Sequence, residues 1–260
     1  MTAPALRPAA TLLLLRDGAA AIEVLMLRRH EDAFFSGALV FPGGRVDDGD
    51  GALRPHCRVP PGLDDETVAY RIAAIRESYE EAGILLARVI GDDSLISAAA
   101  LAALEQSFIE QLGRPPHFAD IVTSGELELA TDALVPYAHW VTPERVAKRY
   151  DTRFFLAHAP ADQVPRPDGQ EAVAVAWLTP AAAFAEAEAM RERLIFATRL
   201  NLARLSRSAT AEAALAAAAA APITRICPEV YDTAGGQRIR IPEGLGYDEC
   251  DLPLPRLTRG

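Results

Sequence analysis

One stretch of nine residues limits what this chain can fold into more than any other, and its sequence is Arg76-Glu77-Ser78-Tyr79-Glu80-Glu81-Ala82-Gly83-Ile84. Its three glutamates stand at positions i, i+3 and i+4, which places them on one side of a helix. An apolar stripe with spacings of four and three runs along the opposite side, formed by Val68, Ile72, Ile75, Tyr79 and Ala82. The segment is therefore predicted to be a helix that buries one face and presents three carboxylates on the other.

Three carboxylates this close together repel one another. Like charges one helical turn apart destabilise a helix by about 0.2–0.5 kcal/mol per pair. A divalent cation that prefers oxygen ligands would remove this repulsion. The alternative is an ordinary solvated helix face, which is the commoner explanation for an EXXEE pattern taken alone. The sequence thus offers a candidate metal site at Glu77, Glu80 and Glu81.

The composition narrows the classes of protein to which the chain can belong. Its 260 residues, half of them apolar, are enough for one large domain with appendages. A formal net charge of −10 argues against nucleic-acid binding but does not exclude a small phosphorylated substrate. No apolar run approaches the roughly 18 residues of a membrane span, and we expect no secretion signal. Three widely spaced cysteines without a CXXC pair predict a cytoplasmic protein with neither disulfides nor a zinc site.

The order of predicted elements indicates one α/β unit. Strands are predicted, the first two as a hairpin, at residues 11–15, 22–27, 38–41, 84–90, 135–141, 153–157, 171–178 and 237–241. Beyond the acidic helix, which Asp64 or Asp65 is expected to cap, helices are predicted at residues 97–112, 118–124, 180–189, 191–206 and 210–221. Pro42-Gly43-Gly44 is predicted to be a turn and residues 51–62 an irregular surface insertion. Most of the last forty residues show little regular pattern.

Together, the acidic helix and the glycines before it resemble the signature box of the Nudix hydrolases. In that box a glycine is followed by five residues and a glutamate, then by seven residues and the pattern Arg-Glu-apolar-X-Glu-Glu-X-Gly-apolar. The matching residues here are Gly44, Asp50, Arg76, Glu77, Glu80, Glu81, Gly83 and Ile84. The chain departs from the box in three ways: Ser78 replaces an apolar residue, Asp50 replaces the glutamate, and an insertion of about 18 residues separates Asp50 from the helix.

An insertion at this point makes the chain similar to the branch of the family that contains the acyl-coenzyme A diphosphatases. Further matches to that branch are His139-Trp140-Val141-Thr142-Pro143, Asp151-Thr152-Arg153-Phe154-Phe155-Leu156, and Pro167-Asp168-Gly169 before Trp177. The resemblance implies an α/β (α+β) Nudix fold, in which a mixed β-sheet lies between helices, with extra helical insertions. Residues 8–205 would form the Nudix domain, with insertions at about 51–67 and 97–131, and residues 206–260 an extension packed on the same domain.

The resemblance also implies chemical roles. Family members hydrolyse a nucleoside diphosphate linked to another group, by attack of water on the diphosphate, with Mg²⁺ or Mn²⁺ as cofactor. The ion would be held by three glutamates and a backbone carbonyl, namely Glu77, Glu80, Glu81 and that of Gly44 or Gly43. Arg76 would pair with Asp50 and hold the loop against the helix. Gly43, Asp50 and Gly83 would be structural residues of the box.

A general base and contacts to the substrate are also required. One candidate base is a box glutamate that is not fully committed to the metal. The other is Glu171, which is otherwise an exposed charge at a strand edge. Arg28 and Arg153 are candidate contacts for substrate phosphates, although a solvated pair is the commoner case for Arg28-Arg29. Phe35 can pack against the substrate, with core packing as the alternative.

The leading hypothesis is a metal-dependent diphosphatase for coenzyme A or acyl-coenzyme A, which would release 3′,5′-ADP and a phosphopantetheine. One alternative is a diphosphatase for ADP-ribose or NADH-type conjugates. Another is a non-catalytic Nudix-fold binding module, although such modules usually lose acidic residues that this chain retains. The expected partner is a small nucleotide, with neither nucleic acid nor membrane, and the sequence leaves a homodimer open.

Overall fold

A computed structural model describes residues 5–30, 37–124, 126–189 and 194–254 of the chain. Its helices are α1 (Asp65–Ala82), α2 (Ala98–Leu112), α3 (Phe118–Thr123), α4 (Pro180–Ala189), α5 (Phe196–Leu205) and α6 (Ala211–Ala220). Its strands are β1 (Leu6–Asp17), β2 (Ile22–Arg29), β3 (Leu39–Val40), β4 (Gly43–Arg45), β5 (Ala87–Val89), β6 (Leu127–Leu129), β7 (Val135–Val141), β8 (Arg149–His158), β9 (Ala172–Leu178), β10 (Arg225–Ile226), β11 (Glu229–Thr233), β12 (Gly236–Arg240) and β13 (Asp251–Pro253). Two 3₁₀ helices lie at Gly51–His56 and Thr131–Ala133. Within these described ranges, no helix is both long and apolar enough to cross a membrane.

Most of the strands form one mixed sheet around β1. β8 runs parallel to β1, from the pair Leu6–Arg149 to the pair Leu15–His158. β2 and β4 both pair antiparallel with β1, β2 near its end and β4 near its middle. The path of the sheet is β10-β7-β8-β1-β2-β3, and β9 pairs with β2. The predicted hairpin of the first two strands is therefore confirmed.

Alternate leucines of β1 enter two separate cores, one on each side of the sheet. Leu12 and Leu14 lie in a core with residues of α1, whereas Leu13 and Leu15 lie in a core with residues of α5 and α6. All four side chains are fully buried. A strand covered on both faces needs an unbroken apolar run, which explains the four consecutive leucines. The predicted mixed sheet between helices is confirmed.

The position of α1 follows from its caps and its apolar stripe. The Asp64 carboxylate accepts a hydrogen bond from the Thr67 N–H at 2.7 Å, which satisfies a free donor at the start of the helix. Gly83 ends the helix with a φ of 68°, a left-handed conformation that glycine adopts without strain. The predicted stripe is buried, apart from Tyr79, which is partly buried. α1 thus lies where the sequence predicts, with the box glutamates near its C-terminal end.

The insertion between Asp50 and α1 has regular structure and is tied to the small sheet of β5 and β6. Its first residues, Gly51–His56, form a 3₁₀ helix. Farther along, Arg58 donates to Glu128 at 2.9 Å and to Asp93 at 2.8 Å. The prediction of an irregular insertion is therefore wrong in part. These contacts join residues that are far apart in the chain, so no local pattern could predict them.

The end of the chain contains more structure than its sequence pattern predicts. β11, β12 and β13 form a three-stranded antiparallel sheet, whereas the pattern predicts only the middle strand. β10 adds to the main sheet, parallel to β7. The outer strands of the small sheet are short and expose residues on both faces, so they carry no apolar alternation. The prediction of little regular structure after residue 220 is therefore wrong.

Candidate active site

Two glycines of β4 are in close contact with the glutamates of α1. The Gly43 backbone N–H donates to Glu81 Oε2 at 2.8 Å. A Cβ atom added to Gly44 would lie 2.4 Å from Glu77 Oε1, much closer than non-bonded atoms approach. The missing side chains are therefore what allows the helix to come this close to the strand.

The predicted turn at Pro42-Gly43-Gly44 is wrong, because both glycines belong to a strand. Gly43 lies opposite Thr11 in the pairing of β4 with β1. A Cβ atom on Gly43 would come 2.6 Å from the Ala10 carbonyl oxygen. Neither glycine has a positive φ, so the chain needs them for close approach of the backbone and not for a turn. A three-residue strand without side-chain alternation gives no periodic signal.

Arg76 joins β4, the loop before the insertion and α1. Its guanidinium donates to both carboxylate oxygens of Asp50, at 2.8 and 3.2 Å. It also donates to Glu77 at 2.9 Å and to Glu80 at 2.8 Å, while the Arg45 carbonyl accepts a further bond at 2.7 Å. The expected pairing of Arg76 with Asp50 is thus present in the structure. This bidentate geometry is the strongest form of such a pair.

Asp50 reaches Arg76 although its side chain is one methylene shorter than glutamate. Its second carboxylate oxygen also accepts the Asp47 N–H at 2.8 Å, within a tight turn that leaves Asp50 only 2% exposed. Burial alone would lower the pKa of the Arg76 guanidinium. The hydrogen bond to Asp50 and the charge of Glu77 outweigh that effect and raise this pKa above its usual value. Arg76 therefore stays charged at any physiological pH.

Glu81 is buried and Glu77 is mostly covered, which differs from the predicted exposed acidic face. The side chains of Glu77 and Glu81 are 13% and 5% exposed, whereas that of Glu80 is 45% exposed. β4 covers the side of α1 that the amphipathic pattern leaves to solvent. α1 is thus covered on both sides near its C-terminal end. Of its three box glutamates, only Glu80 faces solvent.

Burial disfavours the charged form of both covered glutamates. It raises the pKa of Glu81 to about 8, although the Gly43 N–H acts in the opposite direction. It also raises the pKa of Glu77 to about 7, against the lowering effect of the Arg76 charge. Strongly perturbed carboxylates in one place are typical of functional sites. A nearby cation beyond Arg76 would stabilise their ionised forms.

The composition of this cluster fits a divalent cation such as Mg²⁺ or Mn²⁺. It offers only oxygen donors, it includes two carboxylates whose charge burial disfavours, and a glycine backbone lies against Glu77. Across the described residues, no three His, Cys, Asp or Glu side chains are grouped as a metal site requires. In the box, Arg76 holds the carboxylates of Glu77 and Glu80, and the Gly43 N–H holds that of Glu81.

Glu171 lies beside the cluster because β9 pairs with β2. The pairing sets Ala172 opposite Arg29 at the end of β2. Arg29 contacts Glu171 Oε2 at 3.0 Å and lies 3.7 Å from Glu81 Oε1. One guanidinium therefore bridges the predicted base and a box glutamate, which brings residues 90 positions apart into one site.

The sequence interpretation considers the pair Arg28-Arg29 for an anionic ligand but selects Arg28, whereas Arg29 is the one that contacts the glutamates. The alternation of side chains between the two faces of β2 could have identified Arg29. Leu25 and Leu27 lie in the core beneath α1, and side chains two apart share a face of a strand. Arg29 continues that series toward α1. Arg28 has the parity of Met26, which lies in the core on the opposite face.

Arg153, another predicted substrate contact, does not join the cluster. Arg153 donates to Glu66 and Thr67 at 3.0 Å each and stacks on the ring of Tyr70 at 3.9 Å. These residues lie in the first turns of α1. Glu66 and Glu77 are 11 residues apart, or about 16 Å along a helix. Phe35 falls outside the described residues.

The fold and the box together define a class of enzyme, the Nudix hydrolases. The family model described as the NUDT19 Nudix domain matches residues 60–200, more than half of the chain. A crystal structure of a NUDIX hydrolase from Alicyclobacillus acidocaldarius is similar to this chain, with a TM-score of 0.70 and 29% identity. The similarity covers 84% of this chain and 99% of that one. The chain therefore belongs to the Nudix hydrolase family.

Within the family, the chain is similar to the acyl-coenzyme A diphosphatases. It is 29% identical over 201 residues to the acyl-coenzyme A diphosphatase NUDT19 of Homo sapiens, a match that covers 62% of this chain and 54% of that protein. It is 30% identical over 225 residues to the Gallus gallus protein of the same name, with 61% of this chain and 54% of that protein covered. The chain thus spans about half the length of the curated relatives that it matches.

Proposed function

We propose that this protein is a Mg²⁺- or Mn²⁺-dependent diphosphatase that hydrolyses coenzyme A or acyl-coenzyme A. The observation that carries the proposal is the contact of α1 with β4, where Glu81 accepts the Gly43 N–H and Glu77 lies against Gly44. The names of the human and chicken relatives support the substrate class. Water would attack one phosphorus of the diphosphate, and the bridging oxygen would leave with the other, which gives 3′,5′-ADP and a phosphopantetheine.

In this proposal the ion is held by Glu77, Glu80, Glu81 and the Gly44 carbonyl. When bound, it would supply a Lewis acid that neutralises the diphosphate and polarises a phosphoryl oxygen. Glu77 and Glu80 would have to turn away from Arg76, with which both are now hydrogen-bonded. Arg76 would keep its bidentate pair with Asp50 and so hold the loop against α1.

Glu171 is the proposed general base. Its side chain is 62% exposed, so water can reach it. It contacts the guanidinium of Arg29, which also lies 3.7 Å from Glu81 Oε1. The carboxylate would accept a proton from the attacking water as the new phosphorus–oxygen bond forms. Arg29 would hold the Glu171 carboxylate toward the cluster through its 3.0 Å contact. Arg28, Arg153 and Phe35 remain proposed substrate contacts.

A substrate panel tests this proposal directly. The purified chain is incubated with coenzyme A, a short acyl-coenzyme A, ADP-ribose, NADH and a dinucleoside polyphosphate, each with Mg²⁺ or Mn²⁺. We expect the coenzyme A compounds to release 3′,5′-ADP. We expect no hydrolysis when excess chelator removes the metal ions. Hydrolysis of ADP-ribose without hydrolysis of any coenzyme A compound would contradict the substrate. Absence of hydrolysis throughout would favour a binding module.

A further inference from the structure

The segment between β8 and β9 carries the proposed base, yet little packs around it. Residues 166–171 are all exposed, and the Val164 side chain is 72% exposed. Among the described residues, the hydrogen-bond partner of the Glu171 side chain is Arg29, at 3.0 Å. The place of the Glu171 carboxylate therefore depends on how the backbone of this segment, residues 159–171, is fixed.

Gln163 fixes the first part of the segment. It is buried, although its neighbours in the segment are exposed or half-buried. Its Oε1 accepts the Leu85 N–H at 2.9 Å, and its Nε2 donates to the carbonyls of Leu85 at 3.1 Å and Ile96 at 2.9 Å. The amide thus pairs with the backbone of Leu85 as a neighbouring strand would. A buried side chain with this many bonds holds one position only.

Further bonds tie the segment to the end of α1 and the start of α2. The Arg166 N–H donates to the Ala82 carbonyl at 2.8 Å, in the last turn of α1, one residue from Glu81. The Asp162 carboxylate accepts the Ala98 N–H at 2.9 Å at the start of α2. The segment is therefore attached to the same helical turn that carries the box glutamates.

Asp168 fixes the last part of the segment. Its carboxylate accepts the Glu171 N–H at 3.1 and 3.2 Å and the Ala172 N–H at 2.8 Å. The Glu171 carbonyl accepts the His30 N–H at 3.0 Å, next to Arg29. These bonds close a turn that sets where β9 begins and which way Glu171 leaves it.

From these contacts we infer that Gln163 and Asp168 are positioning residues that set the Glu171 carboxylate relative to the box glutamates of α1. The inference rests on the proposed function, because it assigns them a role in the same reaction. Neither residue touches the cluster. Gln163 holds the segment to Leu85, three residues beyond the end of α1, and to Ile96. Asp168 fixes the backbone at Glu171.

The test uses the full chain and the substrates that it hydrolyses. Gln163→Ala and Asp168→Ala are each made alone and in a Glu171→Gln background, with Val164→Ala as the matched control from the same segment. We expect Gln163→Ala and Asp168→Ala to lower kcat about 10- to 100-fold with little change in KM, as a small displacement of a catalytic group does. In the Glu171→Gln background, the same changes should lower kcat less than about twofold. Val164→Ala should leave kcat unchanged.

Equal loss of kcat in both backgrounds would overturn the inference, because the residues would then act on stability and not through Glu171. A Glu171→Gln variant with wild-type kcat would also overturn the inference. That result would not contradict the proposed diphosphatase activity. Amide hydrogen exchange gives a second readout that needs no turnover. We expect faster exchange at Glu171 and Ala172 in both alanine variants, and unchanged exchange there overturns the inference even if no substrate is hydrolysed. If Gln163→Ala does not fold, the same measurements on Asp168→Ala still test the inference.

Discussion

The Glu81 side chain is almost inaccessible to water, yet the proposed chemistry requires its charge. Its partners are one backbone N–H and the more distant guanidinium of Arg29. These contacts only partly offset the loss of hydration, which is why its pKa rises to about 8. At this residue, therefore, the needs of a stable fold and of a charged site oppose each other.

A dependence of stability on pH follows for the metal-free protein. The folded-state pKa of Glu81, about 8, lies above the 4.5 of an unperturbed glutamate. The unfolded chain therefore gains more from ionisation, and stability falls as the pH rises from about 4.5 to 8. We expect Glu81→Gln to be more stable than the wild type at pH 8 in chelator and to lose less stability over this range, as measured by urea denaturation. A variant that is less stable than the wild type at pH 8 would contradict this.

Gly44 offers a second test at the residue scale. An alanine there would place its Cβ 2.4 Å from Glu77 Oε1, so β4 or the glutamate must move. We expect Gly44→Ala to lower kcat at least about 100-fold, as displacement of groups in a site does. Gly49→Ala is the matched control, because a Cβ there meets no atom within 4 Å. Equal activity of the two variants would argue against this contact as part of the site.

Individual residues of the site differ in how well the sequence predicts them. The pairing of Arg76 with Asp50 was predictable, since the resemblance to the box supplies it despite the insertion. The covering of Glu77 and Glu81 was not, because it depends on a three-residue strand whose first two residues are glycines. Strand parity could have selected Arg29 over Arg28, but only after Leu25 and Leu27 had been assigned to a face.

At the scale of elements, α1 was predictable because its stripe, its cap and its final glycine agree. Near its C-terminal end, α1 also carries Ser78 at a position where the Nudix box has an apolar residue. That side chain is fully buried, and its hydroxyl donates to the Ile84 carbonyl at 3.0 Å. A buried serine replaces the usual apolar residue because the hydrogen bond satisfies its polar atom. The bond also joins the helix to the chain that follows it.

We expect Ser78→Ala to lower the free energy of unfolding by about 1 kcal/mol, because one buried hydrogen bond is lost. Chemical denaturation measures this change. Ser206→Ala is a suitable control, since that hydroxyl bonds to the Ala203 carbonyl at an exposed site. A Ser78→Ala variant as stable as the wild type would show that the hydroxyl contributes nothing beyond filling space.

At the scale of the whole molecule, the division of the chain into parts remains a proposal. We propose that residues 8–205 form the Nudix domain and that residues 206–260 extend it on the same core. Three observations support this: Ala211 donates its N–H to Asp17 at 2.7 Å, Tyr247 donates to Asn201 at 3.1 Å, and the Tyr247 ring lies 5.3 Å from that of Trp140. The extension thus contacts β1, α5 and β7.

A chain ending at Leu205 tests this division. It would uncover core residues beneath α6, among them Leu13 and Leu15. We expect the loss of several kcal/mol and a melting temperature lower by about 10 °C or more, with increased aggregation. Thermal unfolding and size-exclusion chromatography measure both effects against the full chain. A soluble shortened chain with the same melting temperature would show that the extension is a separate unit.

The contacts of the Arg76 side chain have a consequence for the order of events when such a protein is made. One fixed positive charge already offsets part of the repulsion among the glutamates, so the newly synthesised polypeptide can fold before any inorganic ion reaches it. In the proposed function, a bound divalent ion would then replace the Arg76 guanidinium as the partner of Glu77 and Glu80. Because Arg76 would compete for the same carboxylates, we expect occupancy of the site to depend on the concentration of the ion in the surrounding solution.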